Sequence, residues 1–145
     1  MTSPNILETE ESLSKIVREI RTVAVVGMQD ERKADRPAFL IPARTRAAGI
    51  RVIPVNPMIK ASQGEKAYPD LASVPEAFDT VNVFRRSEVL ESLVDEILRL
   101  PEFRRPAVVW IQSGIRNQRA AEKLAGAGIK VVMDACLGVY VSRYR

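Results

Sequence analysis

The sequence predicts a doubly wound, parallel five-stranded sheet covered by helices on both faces. Two features predict it. Five short runs rich in β-branched and apolar residues read as strands: Thr22–Gly27, Arg51–Val55, Thr80–Phe84, Ala107–Ile111 and Ile129–Met133. The first of them is nearly all apolar, which, unlike an alternating pattern, marks a strand buried on both faces. Between most of them lie segments whose apolar residues recur at helical spacing. Strand–helix alternation builds a parallel sheet through crossover helices. The expected class is therefore Rossmann-like, three-layer α/β/α, with strand order 3-2-1-4-5 and a ligand crevice where that order reverses.

Each element follows from local chemistry. Thr9 is placed to cap a helix over about 9–20, with Glu10 and Glu11 opposing the dipole and Leu13, Ile16, Val17 and Ile20 on one face. The first strand ends at Gly27, and Met28–Arg36 reads as a polar loop. Pro37 suits the first turn of a helix over about 37–48, which Pro42 should distort and Gly49 should end. Pro54 implies that the second strand stops there or goes without one ladder donor. Asn56–Lys66 reads as a loop, and Pro69–Ala77 has room for one helical turn. Ser87 is placed to cap a helix whose Val89, Leu90, Leu93, Val94, Ile97 and Leu98 form two interleaved rows, closed by Pro101. Gln112–Ile115 is a turn, and Asn117 starts a helix to about Ala125, ended by Gly126 and Gly128. A basic tail, Arg143-Tyr144-Arg145, follows the last strand.

Composition narrows the chemistry. The 145 residues suit one domain over 1–145, with 1–20 as a helical extension. There is no histidine and one cysteine, Cys136. That removes histidine-based nucleophile activation, histidine-bound zinc, internal disulfides and multi-cysteine metal sites. No catalytic residue and no metal ligand is assigned, and intrinsic catalysis is not expected. No apolar stretch reaches the roughly 20 residues of a membrane helix, and no secretory pattern opens the chain, so the cytoplasm is the expected compartment. The net charge is +4, but basic residues are scattered and aromatics are 6%, which argues against nucleic acid. One charge pattern is local: no acid lies between Asp35 and Glu65, where Arg36, Arg44, Arg46, Arg51 and Lys60 all occur. That field favours an anion.

The loop after the first strand carries Gly27 but matches neither G-x-G-x-x-G nor a P-loop. It is a phosphate-binding candidate or simply a tight turn. The second strand ends in Val55-Asn56-Pro57, with no acid before Glu65 to accept ribose hydroxyls. This disfavours NAD and permits NADP or a 3′-phosphorylated adenosine, with Lys60 as candidate for the extra phosphate or as a plain surface lysine. Arg85 and Arg86 suit phosphate bidentately, or pair with Glu88 or Asp79. Trp110 sits mid-strand and reads as core.

Six segments occur in register: Gly27; Arg51–Pro57; Gly64–Pro69; Val83–Ser87; Val109–Ile115; and Val132–Cys136. With them the chain resembles the small stand-alone CoA-binding proteins of the YccU-like family, which are similar to the CoA-binding domain of the succinyl-CoA synthetase α subunit. The resemblance implies a Rossmann-like domain holding coenzyme A across the switch point. It implies that Gly27, Met28 and Gln29 contact the pyrophosphate, with Arg36 among the anion-binding residues. Pro54, Val55, Asn56 and Pro57 would flank the adenosine, with Lys60 at its phosphate. Phe84, Arg85 and Arg86 would sit near adenine or pantetheine, and Gln112, Ser113 and Gly114 would line the far side. Cys136 would lie at the binding edge, as a redox partner of the CoA thiol or as a small packing residue. Met28 departs from the small residue usual there and should crowd the pyrophosphate. The succinyl-transfer chemistry, which needs a second domain and a histidine, does not carry over.

The leading expectation is a CoA or acyl-CoA binding module acting as carrier, sensor or detached subunit, without turnover. The alternatives are an NADP-type oxidoreductase and an interaction protein with a vestigial nucleotide cleft whose basic tail binds a partner. Neither a protein partner nor the acyl group is specified.

Overall fold

A computed structural model describes residues 3–145; Met1 and Thr2 of the expected N-terminal extension lie outside the described residues. The main sheet contains β1 (Thr22–Val26), β2 (Arg51–Val55), β5 (Thr80–Val83), β6 (Val108–Ile111) and β7 (Lys130–Val132), all parallel. A small antiparallel hairpin, β3 (Ala61–Ser62) with β4 (Glu65–Lys66), stands apart from it. The helices are α1 (Glu10–Glu19), α2 (Pro37–Ala47), α3 (Leu90–Arg99), α4 (Gln118–Gly126) and α5 (Leu137–Tyr144).

The fold class is as expected, but the strand order is not. The sheet runs β2-β1-β5-β6-β7, which is 2-1-3-4-5 counting its strands alone. The reason lies in the connection after β2. A 3-2-1 arrangement needs a crossover that carries the chain outward to a new edge. Here residues 56–79 contain the hairpin and turns but no helix, and they return the chain across β1 to its free side. The expected helical turn at Pro69–Ala77 is instead a non-helical turn, with the Asp70 carboxylate accepting from the Ser73 N–H (2.9 Å). Leu71, Val74 and Phe78 of this stretch fill the core on the α3–α4 side.

Two cores lie on the two faces of the sheet. β1 alternates between them: Ala24 and Val26 face α3 and α4, while Val23 and Val25 face α1 and α5. Trp110 is fully buried among the second group, and its Nε1–H donates to the Ala135 carbonyl (2.9 Å). Thr9 caps α1 as expected, its Oγ1 accepting from the Ser12 N–H (3.1 Å). Ser87 does not cap α3: it opens a 3-10 turn, α3 starts at Leu90, and the Ser87 hydroxyl donates to the Arg116 carbonyl. Pro54 lies within β2 rather than ending it. Its carbonyl accepts from Tyr68 on the outer edge (3.0 Å), and a strand residue's N–H side is its C=O side. The missing donor thus faces an edge with no full ladder.

The basic tail is a helix, and it is committed internally. The Glu10 carboxylate accepts from Tyr140 (3.1 Å), Arg143 (2.9 Å) and the Tyr144 hydroxyl. These donors, Tyr144 foremost, hold the Glu10 carboxyl below its usual range. The Arg145 guanidinium donates to the Val17, Arg18 and Ile20 carbonyls at the end of α1. The tail closes the fold instead of presenting a free basic patch. Residues 10–20 are therefore part of a layer, not an appendage. Among the described residues no helix is long and apolar enough to cross a membrane.

Candidate functional site

The sheet order reverses at β1 and β5, and the crevice above their carboxyl ends is where doubly wound folds place ligands. Gly27 ends β1 with φ +89°, and an added Cβ would stand 2.3 Å from the Phe84 carbonyl oxygen. Only glycine permits this crossing. Its N–H donates to the Val55 carbonyl (2.8 Å) and is not free for a phosphate.

Met28 turns inward. Its side chain is fully buried in the α1–α5 core, so the expected crowding of a pyrophosphate does not arise. Gln29 donates its N–H to the Ala38 carbonyl (3.1 Å). That carbonyl is the one which Pro42, four residues on and lacking an N–H, cannot bond within α2. The proline in mid-helix thus frees an acceptor that anchors the loop. The carbonyls of Met28 and Gln29 accept from Asn56 Nδ2 (2.9 Å) and Ser62 Oγ (2.7 Å).

Asn56, expected beside the adenosine, is 2% exposed and uses both ends of its amide internally: Nδ2 on Met28, and Oδ1 accepting from the Met58 N–H (2.9 Å). It joins the β1 loop to the end of β2. Asn56→Ala would leave a buried carbonyl and a partly buried N–H without partners. We expect a loss of roughly 2–3 kcal/mol in urea unfolding; an unchanged midpoint would refute this linking role.

Two clefts meet at Phe84, Arg85 and Arg86. One, of about 430 Å³, lies on the α3 side. Its walls combine apolar side chains (Val26, Val55, Pro57, Pro69, Val89 and Leu93) with Ser92 and Glu96 of the helix. The other, of about 460 Å³, lies at the start of α2 and is lined by Gln29, Lys33, Arg36, Pro37, Ala38, Ile115 and the shared three residues. It has four cations and no acid in its lining. The α2 N-terminus adds the positive end of its dipole, and Arg36 at the cap makes no side-chain capping bond. Nearby, the Arg32 guanidinium holds the Asp30 carboxyl below its usual range.

The structure thus brings Gln29, Arg36, Val55, Pro57, Phe84, Arg85 and Arg86 to one crevice. Arg85 is half-buried and makes no ion pair among the described residues. Arg86 approaches Glu88 only at 3.9 Å, and Asp79 is taken by the backbone N–H groups of Arg21 and Thr22. Lys60 is exposed and lines neither cleft. Of the acid-free basic run, only Arg36 borders a cleft. Arg51 lies at the opposite end of β2, bound by Glu76 and Glu65, and Arg46 bonds the Gln63 carbonyl. Gln112 is buried, its Oε1 accepting from the Leu137 N–H (3.3 Å). Ser113 is exposed, and the Gly114 N–H donates to Asp134 (2.7 Å). Cys136 is half-buried at the start of α5, outside both cleft linings. Sequence reasoning did not assign Ile115, Val89, Ser92, Leu93 or Glu96. Val89 and Leu93 read only as members of the apolar rows of a core helix, and nothing local marked Ser92 or Glu96.

Fold and crevice together define a Rossmann-like α/β domain with a cationic, two-lobed cleft at its switch point. The chain belongs to a CoA binding domain family, whose model matches residues 21–142. It is 37% identical over 127 residues to the uncharacterized protein YneT of Bacillus subtilis (strain 168), covering 88% of this chain and 90% of that one. It is similar to a solved structure, cell-free ID.343 from Thermus thermophilus, with TM-score 0.83, 34% identity, and coverage of 95% of this chain and 100% of the other. The apo form of a dinucleotide-forming acetyl-coenzyme A synthetase from Ca. Korarchaeum cryptofilum shares the fold at 18% identity and TM-score 0.61. There the match spans 80% of this chain and 27% of the synthetase.

Proposed function

We propose that this protein binds coenzyme A or an acyl-CoA and acts as a non-catalytic carrier, sensor or detached subunit. The family supports a CoA-type ligand. The observation that carries the finer reading is the acid-free cleft with Lys33, Arg36, Arg85 and Arg86 beside a second cleft whose walls include Val55, Pro57 and Phe84. The pyrophosphate takes the cationic lobe at the α2 N-terminus, where guanidinium groups bond phosphate oxygens in pairs. The adenine takes the α3-side lobe, against the apolar side chains of Val55, Pro57 and Phe84. The phosphorylated ribose lies at the ridge of Arg85 and Arg86. The pantetheine arm leaves the cationic lobe past Ile115. A reducing cytoplasm suits the single free cysteine.

Thermal denaturation with ligand tests this. A ligand at 100 times its Kd stabilises by about 2.7 kcal/mol. CoA should raise the Tm by several degrees, dephospho-CoA by less, and NADPH by less than CoA. A larger shift with NADPH would favour the dinucleotide reading, and no shift with any of them would overturn both.

A further inference from the structure

We propose that the β3–β4 hairpin is a brace that holds the phosphate-binding loop in its binding geometry, with Ser62 and Gln63 as positioning residues. The inference rests on the CoA-binding reading, and it adds residues that touch neither cleft.

The hairpin's two-residue turn is Gln63-Gly64, and both have positive φ (53° and 79°). A tight turn of this hand requires that conformation, for which Asn-Gly or Gly-Gly is the usual choice. Glutamine has no local side-chain bond to favour it and carries a backbone cost. Its side chain explains its presence: Nε2 donates to the Phe39 carbonyl in the first turn of α2 (3.0 Å). The Gln63 N–H donates to Glu31 of the loop (2.8 Å), and its carbonyl accepts from Arg46 of α2 (2.7 Å). Beside it, buried Ser62 donates to the Gln29 carbonyl (2.7 Å).

These bonds fall on both partners of one link. The Gln29 N–H donates to the Ala38 carbonyl freed by Pro42. Ser62 grips Gln29 on one side, and Gln63 grips Phe39, next to Ala38, on the other. The loop and the α2 N-terminus line the cationic cleft. A brace behind them lowers the ordering cost of ligand binding without touching ligand.

Gln63→Gly separates positioning from folding, because glycine suits the turn's backbone better than glutamine. The expected result is a Tm equal to or above wild type, with the Kd for CoA raised about five- to tenfold by calorimetry. Ser62→Ala should weaken CoA similarly, and Ser62→Thr, which keeps the hydroxyl, should restore it. In the ligand-free protein, hydrogen exchange at the Gln29 amide should accelerate in Gln63→Gly and Ser62→Ala. Wild-type CoA affinity in both variants would overturn the brace. If wild-type protein ignores CoA, the functional reading fails, and unchanged Gln29 exchange would then overturn the brace independently.

Discussion

Gly27→Ala is expected to lower stability by about 3 kcal/mol or more, the largest loss of any glycine-to-alanine change in this chain. Two costs add. The position has φ +89°, where an L side chain is strained. The new Cβ would also stand 2.3 Å from the Phe84 carbonyl oxygen, a backbone atom that no rotamer change can move aside. Relief requires separating the ends of β1 and β5, which breaks the bond from the Phe84 N–H to the Val26 carbonyl (2.9 Å). For a domain of this size the loss corresponds to a Tm lower by about 10 °C in a circular dichroism melt. Gly49→Ala serves as control: its φ is +92°, but nothing lies within 4 Å of an added Cβ. Its loss should be near the backbone cost alone, about 1–2 kcal/mol. Equal losses at the two positions would show that the strand-end crossing contributes nothing.

Arg85→Ala is expected to raise the Kd for CoA about 10- to 100-fold while leaving the ligand-free Tm nearly unchanged. Arg85 borders both clefts and makes no ion pair among the described residues. Its guanidinium is thus available to a phosphate, and a hydrogen bond to a charged group contributes about 1.5–3 kcal/mol. Arg86→Ala should cost less, because that side chain is 82% exposed and sits 3.9 Å from Glu88. Arg85→Lys should recover only part of the affinity, since an ammonium cannot form the bidentate pair. Calorimetry at two salt concentrations checks both claims. An Arg85→Ala protein with wild-type affinity and the same salt dependence would remove the phosphate from this ridge.

Much of this architecture was legible in the residues. The five short runs rich in β-branched and apolar residues are strands, buried along most of their length on both faces. The apolar rows of α3 face the core, and Thr9 and Asn117 cap their helices. The less legible parts depend on contacts far apart in sequence. Nothing near Ser87 says that its hydroxyl turns to the Arg116 carbonyl, 29 residues away. Nothing near Met28 says that its side chain points into the core rather than the crevice. The last helix read as a basic tail because it owes its place to Glu10, 134 residues before Tyr144.

By itself, then, the sequence determined the layered α/β class, the central Gly27 and the two arginines that end the third strand of the sheet, because periodicity and backbone sterics act over a few residues. Tertiary structure alone decided the strand order, the internal duties of Asn56 and Gln29, the two-lobed crevice and the hairpin behind its loop. Those depend on where a helix-less connection returns the chain and on which distant acceptors a proline leaves open, and local propensity carries no information about either.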